Sequence, residues 1–435
     1  MFLSLFPLCL KSLAKIHNPP VIIEAARVPV VRFSILNIDV DVVFVSIDAP
    51  CPPTLEQLRS LNIFRCVPSD MRLSLNGLRT VLEIRDRVSK VVDYSVYVVV
   101  LRVVKHWAKE RGVYGNLFTF PPGVALAVCV AYVGQVWRRQ NPTLARHEAT
   151  PMVLLRLFFQ VMRGWTDEKQ SRPIFITEEA TPTNGPRIAG LHETWAPARD
   201  ALPVLNPAFP YTNCCFTVGA VGRRLFAQEV AAAHTYLEPG LAVGRDLSQL
   251  WRRYRIEDEF STFLIVEVVV TSDPAALLPP WAGFVESRLK FLLYTLETAA
   301  KTELRARPFP SRVDGSWRGA APCSSCFWAV GVEAIHQQEP ALENSRRKNM
   351  GIGDIVAEIL VRNNIFANFL FSLSSLGQPK KGPHFERQAQ MEGPFFTVTR
   401  NVDLLTMYFN SSRPTLLSEP HRSNAVGVKR EREKQ

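Results

Sequence analysis

The sequence predicts an α+β protein of several domains: a strand-rich opening, a helical centre, and a small α/β sandwich towards the end. Three observations carry this. The first sixty residues hold Val- and Ile-rich runs with strand periodicity. From about Leu61 to Trp251 apolar residues recur at three- and four-residue spacings. After Trp251 strand-like and helix-like patterns take turns. A length of 435 residues leaves room for two or three domains.

In the opening unit, RVPVVRFSIL and IDVDVVFV read as strands with a turn signal at Asn37 between them. The second run alternates apolar and acidic residues and then becomes wholly apolar, which predicts an exposed leading edge and a buried far end. Proline-rich CPPT closes the unit. In the centre, LRVVKHWAKERG is a helix stopped by Gly112, and GVALAVCVAYVGQVW and PMVLLRLFFQVMRGW read as core helices. Pro- and Thr-rich text between Ile174 and Pro210 predicts a long irregular connection, after which LFAQEVAAAHTYL resumes as a helix. In the third unit STFLIVEVVVTS and CFWAVGVEA are strands, PPWAGFVESRLKFLLYTLE is one amphipathic helix entered through proline, and IGDIVAEILVRN is another helix. The expected boundaries are residues 1–60, 61–250 and 251–410, with 411–435 a basic, disordered tail. No pattern is assigned between Gln378 and Arg422.

Composition narrows the classes of function. Hydrophobic residues at 47% and charged residues at 21% exclude disorder over most of the length. The net charge of +11 suits a partner made of phosphates. Eight scattered cysteines form no dense disulfide framework, and the one CxxC pair, Cys323 and Cys326, lacks the two further ligands a structural zinc takes. The uncharged stretch Leu117–Trp137 is interrupted by Pro121, Pro122 and Gly123, which leaves too short a helix to span a bilayer; no membrane partner is expected. The opening MFLSLFPLCL lacks the basic region and cleavage site of a signal peptide.

Asp39 and Asp41 sit two apart on one strand, so both carboxylates face the same side. Such a pair can hold Mg²⁺ or be two solvated acids at a sheet edge. SLNGLR at Ser74–Arg79 and LRVVKHWAKERGVYGNLFTFPPGVA at Leu101–Ala125 together resemble the eukaryotic-type nuclear poly(A) polymerases of the nucleotidyltransferase superfamily, which carry SLNG and then LRAIKLWAK…YxNxFGFxGGV. LPVLNPAFPYTNCCFTVG and WAGFVESRLKFLLYTLE resemble two later blocks of that family, in the same order, so the resemblance runs from about Pro29 to Asn363.

The resemblance implies a nucleotidyltransferase mixed-sheet catalytic domain present only as a remnant, a helical central domain and an RRM-like α/β sandwich. It implies that Asp41 is a catalytic, metal-ligating aspartate and that Asp39 is secondary. Lys105 would contact the ATP phosphates, Tyr114 and Asn116 the nucleotide, Val30 the adenine, and Asn76 the base and ribose. Gly123 and Val124 would form the end of a Gly-Gly-Val turn. Lysine is a compact charge suited to a triphosphate, and a helix opening at Gly123 offers free N–H groups to phosphate. Mg²⁺ or Mn²⁺ is the implied cofactor and ATP the implied substrate. The implied partners are an RNA 3′ end and mRNA 3′-end processing factors, in the nucleus. Basic residues at Lys290, Arg305, Arg307, Arg346, Arg347 and Lys348 are candidates for the RNA backbone.

Three departures stand out. Nothing before Val30 resembles the family's Gly-Ser turn and Asp-x-Asp strand, and Asp41 alone cannot clamp two metal ions. Pro122 replaces the first glycine of the turn, and His106 stands where the family has leucine. The chain as written is therefore expected to be inactive, a start upstream of Met1 being the expected reason. The alternative is an RNA-binding pseudoenzyme subunit of a 3′-end processing complex. A relative that adds uridylate is the competing enzyme reading.

Overall fold

The computed structural model describes residues 2–11, 20–23, 28–36, 38–167, 172–177, 188, 191, 200–238, 246–299, 303–315, 324–335, 351–375 and 390–400. The chain opens with α1 (Phe2–Lys11) and a three-stranded antiparallel sheet of β1 (Val21–Ile23), β2 (Val30–Ile35) and β3 (Ile38–Val43), in that order. Register sets Arg32 opposite Asp41, Ser34 opposite Asp39 and Val30 opposite Val43, so Val30, Asp39 and Asp41 share one face. The tight β2–β3 turn places its positive φ, 51°, on Leu36; Asn37 lies outside the described residues, as does the Asp39 side chain. The expected burial of the far end of β3 is not found: Val43 and Phe44 are both exposed. Among the described residues three strands pair here, and no element covers that end.

A capped helix α2 (Leu55–Arg59) follows, in which the Thr54 hydroxyl accepts from Gln57 N and the Gln57 side chain accepts from Thr54 N. The helical centre comprises α3 (Asn76–Val91), α4 (Tyr94–Glu110), α5 (Gly123–Gln140), α6 (Pro151–Asp167) and α7 (Ala220–Leu237). Apolar stripes at helical spacing bring α4, α6 and α7 together around Trp107, whose ring meets Phe159 edge-on at 4.9 Å and Phe226 at 6.0 Å. Gly112, at φ 66°, ends α4 as its sequence predicts.

The third unit holds β4 (Phe263–Val270), α8 (Pro274–Glu286), α9 (Leu289–Ala299), β5 (Leu304–Pro308), β6 (Val313–Asp314), β7 (Ser325–Ala334), α10 (Ile352–Arg362), α11 (Ile365–Ser375) and β8 (Met391–Thr399). Its antiparallel sheet has the order β5-β7-β4-β8, with β6 also on β7. β4 is apolar but for Glu267, and both its faces are covered. Leu264, Val266 and Val268 join the large core shared with the helices, while Phe263 and Ile265 join a second cluster with Ile256, Phe260 and Phe327. Cys326 is buried in β7; Cys323 lies outside the described residues.

Two features differ from the sequence reading. The single helix expected over PPWAGFVESRLKFLLYTLE is broken after Glu286. Its N-terminal proline is Pro274, behind the Asp273 cap, and Pro279 and Pro280 lie inside α8. Arg288 secures the break, with its guanidinium 3.6 Å from the Phe284 ring centroid and Nη1 donating to Phe284 O at 3.1 Å and Ser287 Oγ at 2.7 Å. The unassigned region also contains β8, a full partner of β4. Among the described residues no single helix is long and apolar enough to cross a membrane; α10 and α11 reach that length only as a pair bent by 53°.

Candidate functional site

The centre of the site is the connection from α4 to α5. After Gly112 reverses the chain, Val113 N donates to Ala108 O and Val113 is fully buried, which fixes where Tyr114 begins. Gly115, at φ 102°, donates to Pro121 O at 3.1 Å and accepts from Phe120 N at 3.0 Å, closing the loop on itself. Within it Asn116 opens a short 3-10 turn and Thr119 adopts φ 62°. Pro122 then stands at the N-cap of α5 with no side chain capping the helix, so the N–H groups of its first turn are open to an anion.

Gly123, Tyr114 and Lys105 converge at that helix start. A Cβ built on Gly123 would stand 2.7 Å from the Tyr114 hydroxyl and 3.4 Å from Lys105 Nζ. Gly123 therefore keeps open a small cradle walled by a hydroxyl, an ammonium and a helix N-terminus. Lys105 is half-buried and makes no hydrogen bond or ion pair among the described residues. Burial raises the Tyr114 pKa, so its phenol stays a neutral donor well above physiological pH. Lys109 places its ammonium 5.4 Å from the Tyr114 ring centroid. The sequence reading passed over Lys109, although the Lys-x₃-Lys spacing puts it on the Lys105 face of α4. Val124 and Asn116 are exposed beside the same loop.

Asn76 lies elsewhere on the surface of contacts, at the first turn of α3, and its Oδ1 is buried without a hydrogen-bond partner. What positions it is a fully engaged guanidinium three residues on. Arg79 is buried, with Nε donating to Leu58 O at 3.1 Å, Nη1 to Phe209 O at 2.5 Å and Nη2 to Arg59 O at 2.9 Å, its plane 4.6 Å from the Phe64 ring centroid. Burial lowers its pKa, yet three carbonyl dipoles hold the charge in place. The Thr80 hydroxyl lies 2.6 Å from Asn76 O and 2.8 Å from Asn206 Oδ1. The Asn206–Tyr211 block thus braces the start of α3.

Asp41 is apart from both groups in its bonding. Arg32 holds it in two parallel bonds, Nε to Oδ1 at 2.7 Å and Nη2 to Oδ2 at 2.9 Å, and this pairing lowers the carboxyl pKa. No hydrogen bond joins Asp41 to Lys105, Tyr114 or Asn76, while Val30 shares its sheet face. Among the described residues no group of three or more His, Cys, Asp or Glu side chains could hold a metal ion. With both carboxylate oxygens occupied by Arg32, Asp41 does not by itself fit a metal.

Two family models match the chain: the poly(A) polymerase nucleotidyltransferase domain over residues 1–88 and the poly(A) polymerase central domain over residues 96–253. Together they cover more than half of it. The chain belongs to the poly(A) polymerase family. The change from one model to the other falls where α3 gives way to α4. Nuclear poly(A) polymerase 4 of Arabidopsis thaliana is 26% identical over 315 residues, covering 72% of this chain and 40% of the relative. Poly(A) polymerase pla1 of Schizosaccharomyces pombe is 26% identical over 326 residues, covering 75% and 54%. Poly(A) polymerase PAPalpha of Candida albicans is 26% identical over 287 residues, covering 65% and 48%. The chain thus spans about half the length of the poly(A) polymerases it matches. Its mixed α+β build, helices between two separate sheets, agrees with the two poly(A) polymerase domains.

Proposed function

We propose that this protein serves template-independent addition of adenylates from ATP to RNA 3′ ends, in nuclear mRNA 3′-end processing. The observation that carries the proposal is the convergence of Lys105, Tyr114 and Gly123 on the open N-terminus of α5. In this reading Lys105 neutralises the triphosphate, the Tyr114 hydroxyl donates to a phosphate or sugar oxygen, and the first N–H groups of α5 take a phosphate oxygen each. Asn116 and Val124 border the same nucleotide, Asn76 offers its unpartnered carbonyl oxygen to a base or ribose donor, and Val30 packs on the adenine. Asp41 is assigned as the catalytic aspartate once Arg32 is displaced. A divalent ion, Mg²⁺ or Mn²⁺, supplies charge neutralisation at the attacked phosphate in such transfers. The residues described here bind and orient the nucleotide, and no step is derived for them through a metal.

We assign residues 1–60 to the nucleotidyltransferase catalytic domain, 61–250 to the central domain and 251–410 to an RRM-like unit that takes RNA, with 3′-end processing factors as further partners. A second reading, an ATP- and RNA-binding subunit without transfer chemistry of its own, is favoured by the two-bond hold of Arg32 on Asp41.

Calorimetric titration with ATP tests the nucleotide site. Gly123→Ala drives a methyl into the Tyr114 hydroxyl, and Lys105→Ala removes the ammonium; each is expected to weaken ATP at least about tenfold, equivalent to about 1.4 kcal/mol. Equal affinity in both variants and the parent would remove the proposal. Release of pyrophosphate with oligoadenylate and Mn²⁺ separates the two readings, since a binding subunit releases none.

A further inference from the structure

A cleft of about 160 Å³ lies where the helical centre meets the second sheet, between α7, α9, β5 and the end of the loop that leads to Gly123. Its walls are apolar: Phe120, Leu225, Leu293, Leu296 and Ala306 line it, and each is buried. An apolar cavity of about 150 Å³ takes a benzene ring. The cleft therefore has room for one aromatic ring or one branched alkyl group.

Two charges of opposite sign line the same cleft, Arg224 of α7 and Glu297 of α9. Arg224 is exposed and Glu297 half-buried, and no ion pair joins them. Glu297 is held in place: its Oε1 accepts from Ala220 N at 2.5 Å, the first N–H of α7. Gly219 makes room for it, since a Cβ there would collide with Oε2. A carboxylate has about four acceptor sites, and Ala220 takes one. Tyr294, three residues earlier on α9, donates to Thr217 O at 2.6 Å and ties the helix to the segment that enters α7. The cleft thus presents a fixed carboxylate, a guanidinium and an apolar floor. Two of the arginines that the sequence offers to RNA are engaged elsewhere, Arg305 with Glu259 and buried Arg307 with Glu229; Arg346, Arg347 and Lys348 lie outside the described residues.

We propose that this cleft binds a free α-amino acid with an apolar side chain. The ring or alkyl group enters between Leu225, Leu293 and Leu296, the α-carboxylate pairs with Arg224, and the ammonium donates to the open acceptor sites of Glu297. The two charges select for a zwitterion. An aryl carboxylate without an ammonium brings its charge up to Glu297, and an arylamine brings its charge up to Arg224; like charges brought together lose affinity. A peptide end carries only one of the two charges. The inference goes beyond the polyadenylation reading and does not depend on it, since neither ATP nor RNA enters it.

Ligand-observed NMR titration of the full chain with L-phenylalanine tests this, and a ligand of that size is expected to bind on the order of 1 mM. Phenylalaninamide lacks the carboxylate and N-acetylphenylalanine lacks the ammonium; each is expected to bind at least about fivefold more weakly. L-glutamate, which has both backbone charges and no apolar side chain, is expected to bind at least about tenfold more weakly. Arg224→Gln is expected to abolish the preference over phenylalaninamide and to keep the preference over N-acetylphenylalanine. Glu297→Gln, which retains an oxygen for Ala220 N, is expected to do the reverse. A change of fold would alter both preferences together, so the crossed pattern reports contact with the ligand. No binding of L-phenylalanine at about tenfold the expected Kd, equal binding of all four compounds, or preferences that survive both variants would each overturn the proposal.

Discussion

Asp41 and Arg32 face each other directly across β2 and β3, and the pair carries a pH signature. The guanidinium lowers the folded carboxyl below its ordinary value of 3.8. The pairing therefore stabilises the fold above pH 3.8, and that contribution disappears as pH falls through the lowered folded value. With both side chains about half exposed, solvent screening limits the gain to about 1 kcal/mol or less. Arg32→Met is expected to return the Asp41 titration to the ordinary range, read by carbonyl NMR. The small stability gap between variant and parent in urea is expected to close below pH 3.8. A gap that stays constant down to strong acid would show that Arg32 acts through packing alone. The same substitution frees both Asp41 oxygens, the condition under which the carboxylate could serve the transfer reaction.

The helices of the centre press on the loop before Gly123, and two glycines report how closely. A Cβ on Gly222 of α7 would stand 2.0 Å from the Thr119 carbonyl oxygen, a backbone atom that cannot step aside. Gly222→Ala is expected to cost about 1–3 kcal/mol in urea unfolding and to weaken ATP by displacing the loop before Gly123. Gly164, on the exposed side of α6, meets nothing within 4 Å. Gly164→Ala is expected to stabilise by about 0.5–1 kcal/mol through helix propensity. Similar effects at the two positions would show that α7 does not seat against Thr119. Periodicity made α4, α5, α6, β4 and β7 legible in the sequence, because each buries a regular stripe. The cradle was legible as an ordered set of residue types around Gly123. The α8–α9 break was not, since Arg288 looks like one more charge on an amphipathic helix until its ring partner is seen. β8 was hidden by Gly393 and Pro394, at which the ladder with β4 also shifts register. Arg307 was offered as an RNA contact because its carboxylate partner lies 78 residues away, and spacing shows only local partners.

At the scale of the whole molecule, one charge network, centred on the buried pair Glu229 and Arg307, joins the helices to the second sheet. Glu229 of α7 accepts from Arg111 Nε at 2.7 Å and from Arg307 Nη2 of β5 at 3.0 Å. Arg307 is also 3.6 Å from Glu259 and 3.4 Å from the Tyr254 ring centroid, and Arg305 joins Glu259 to Glu333. Glu229→Gln strips the central counter-charge from two guanidinium groups, one of them buried. It is expected to cost about 3–5 kcal/mol and to open the junction to limited proteolysis before the rest. Unfolding with parental stability would show the network to be inert. The buried Arg307–Glu229 pair at its centre is also indifferent to ionic strength. At 1 M salt the Debye length shrinks to about 3 Å, which erases exposed attractions and leaves buried ones standing. A concentrated brine wash should therefore strip bound nucleic acid from this basic protein during purification while its two halves stay clasped.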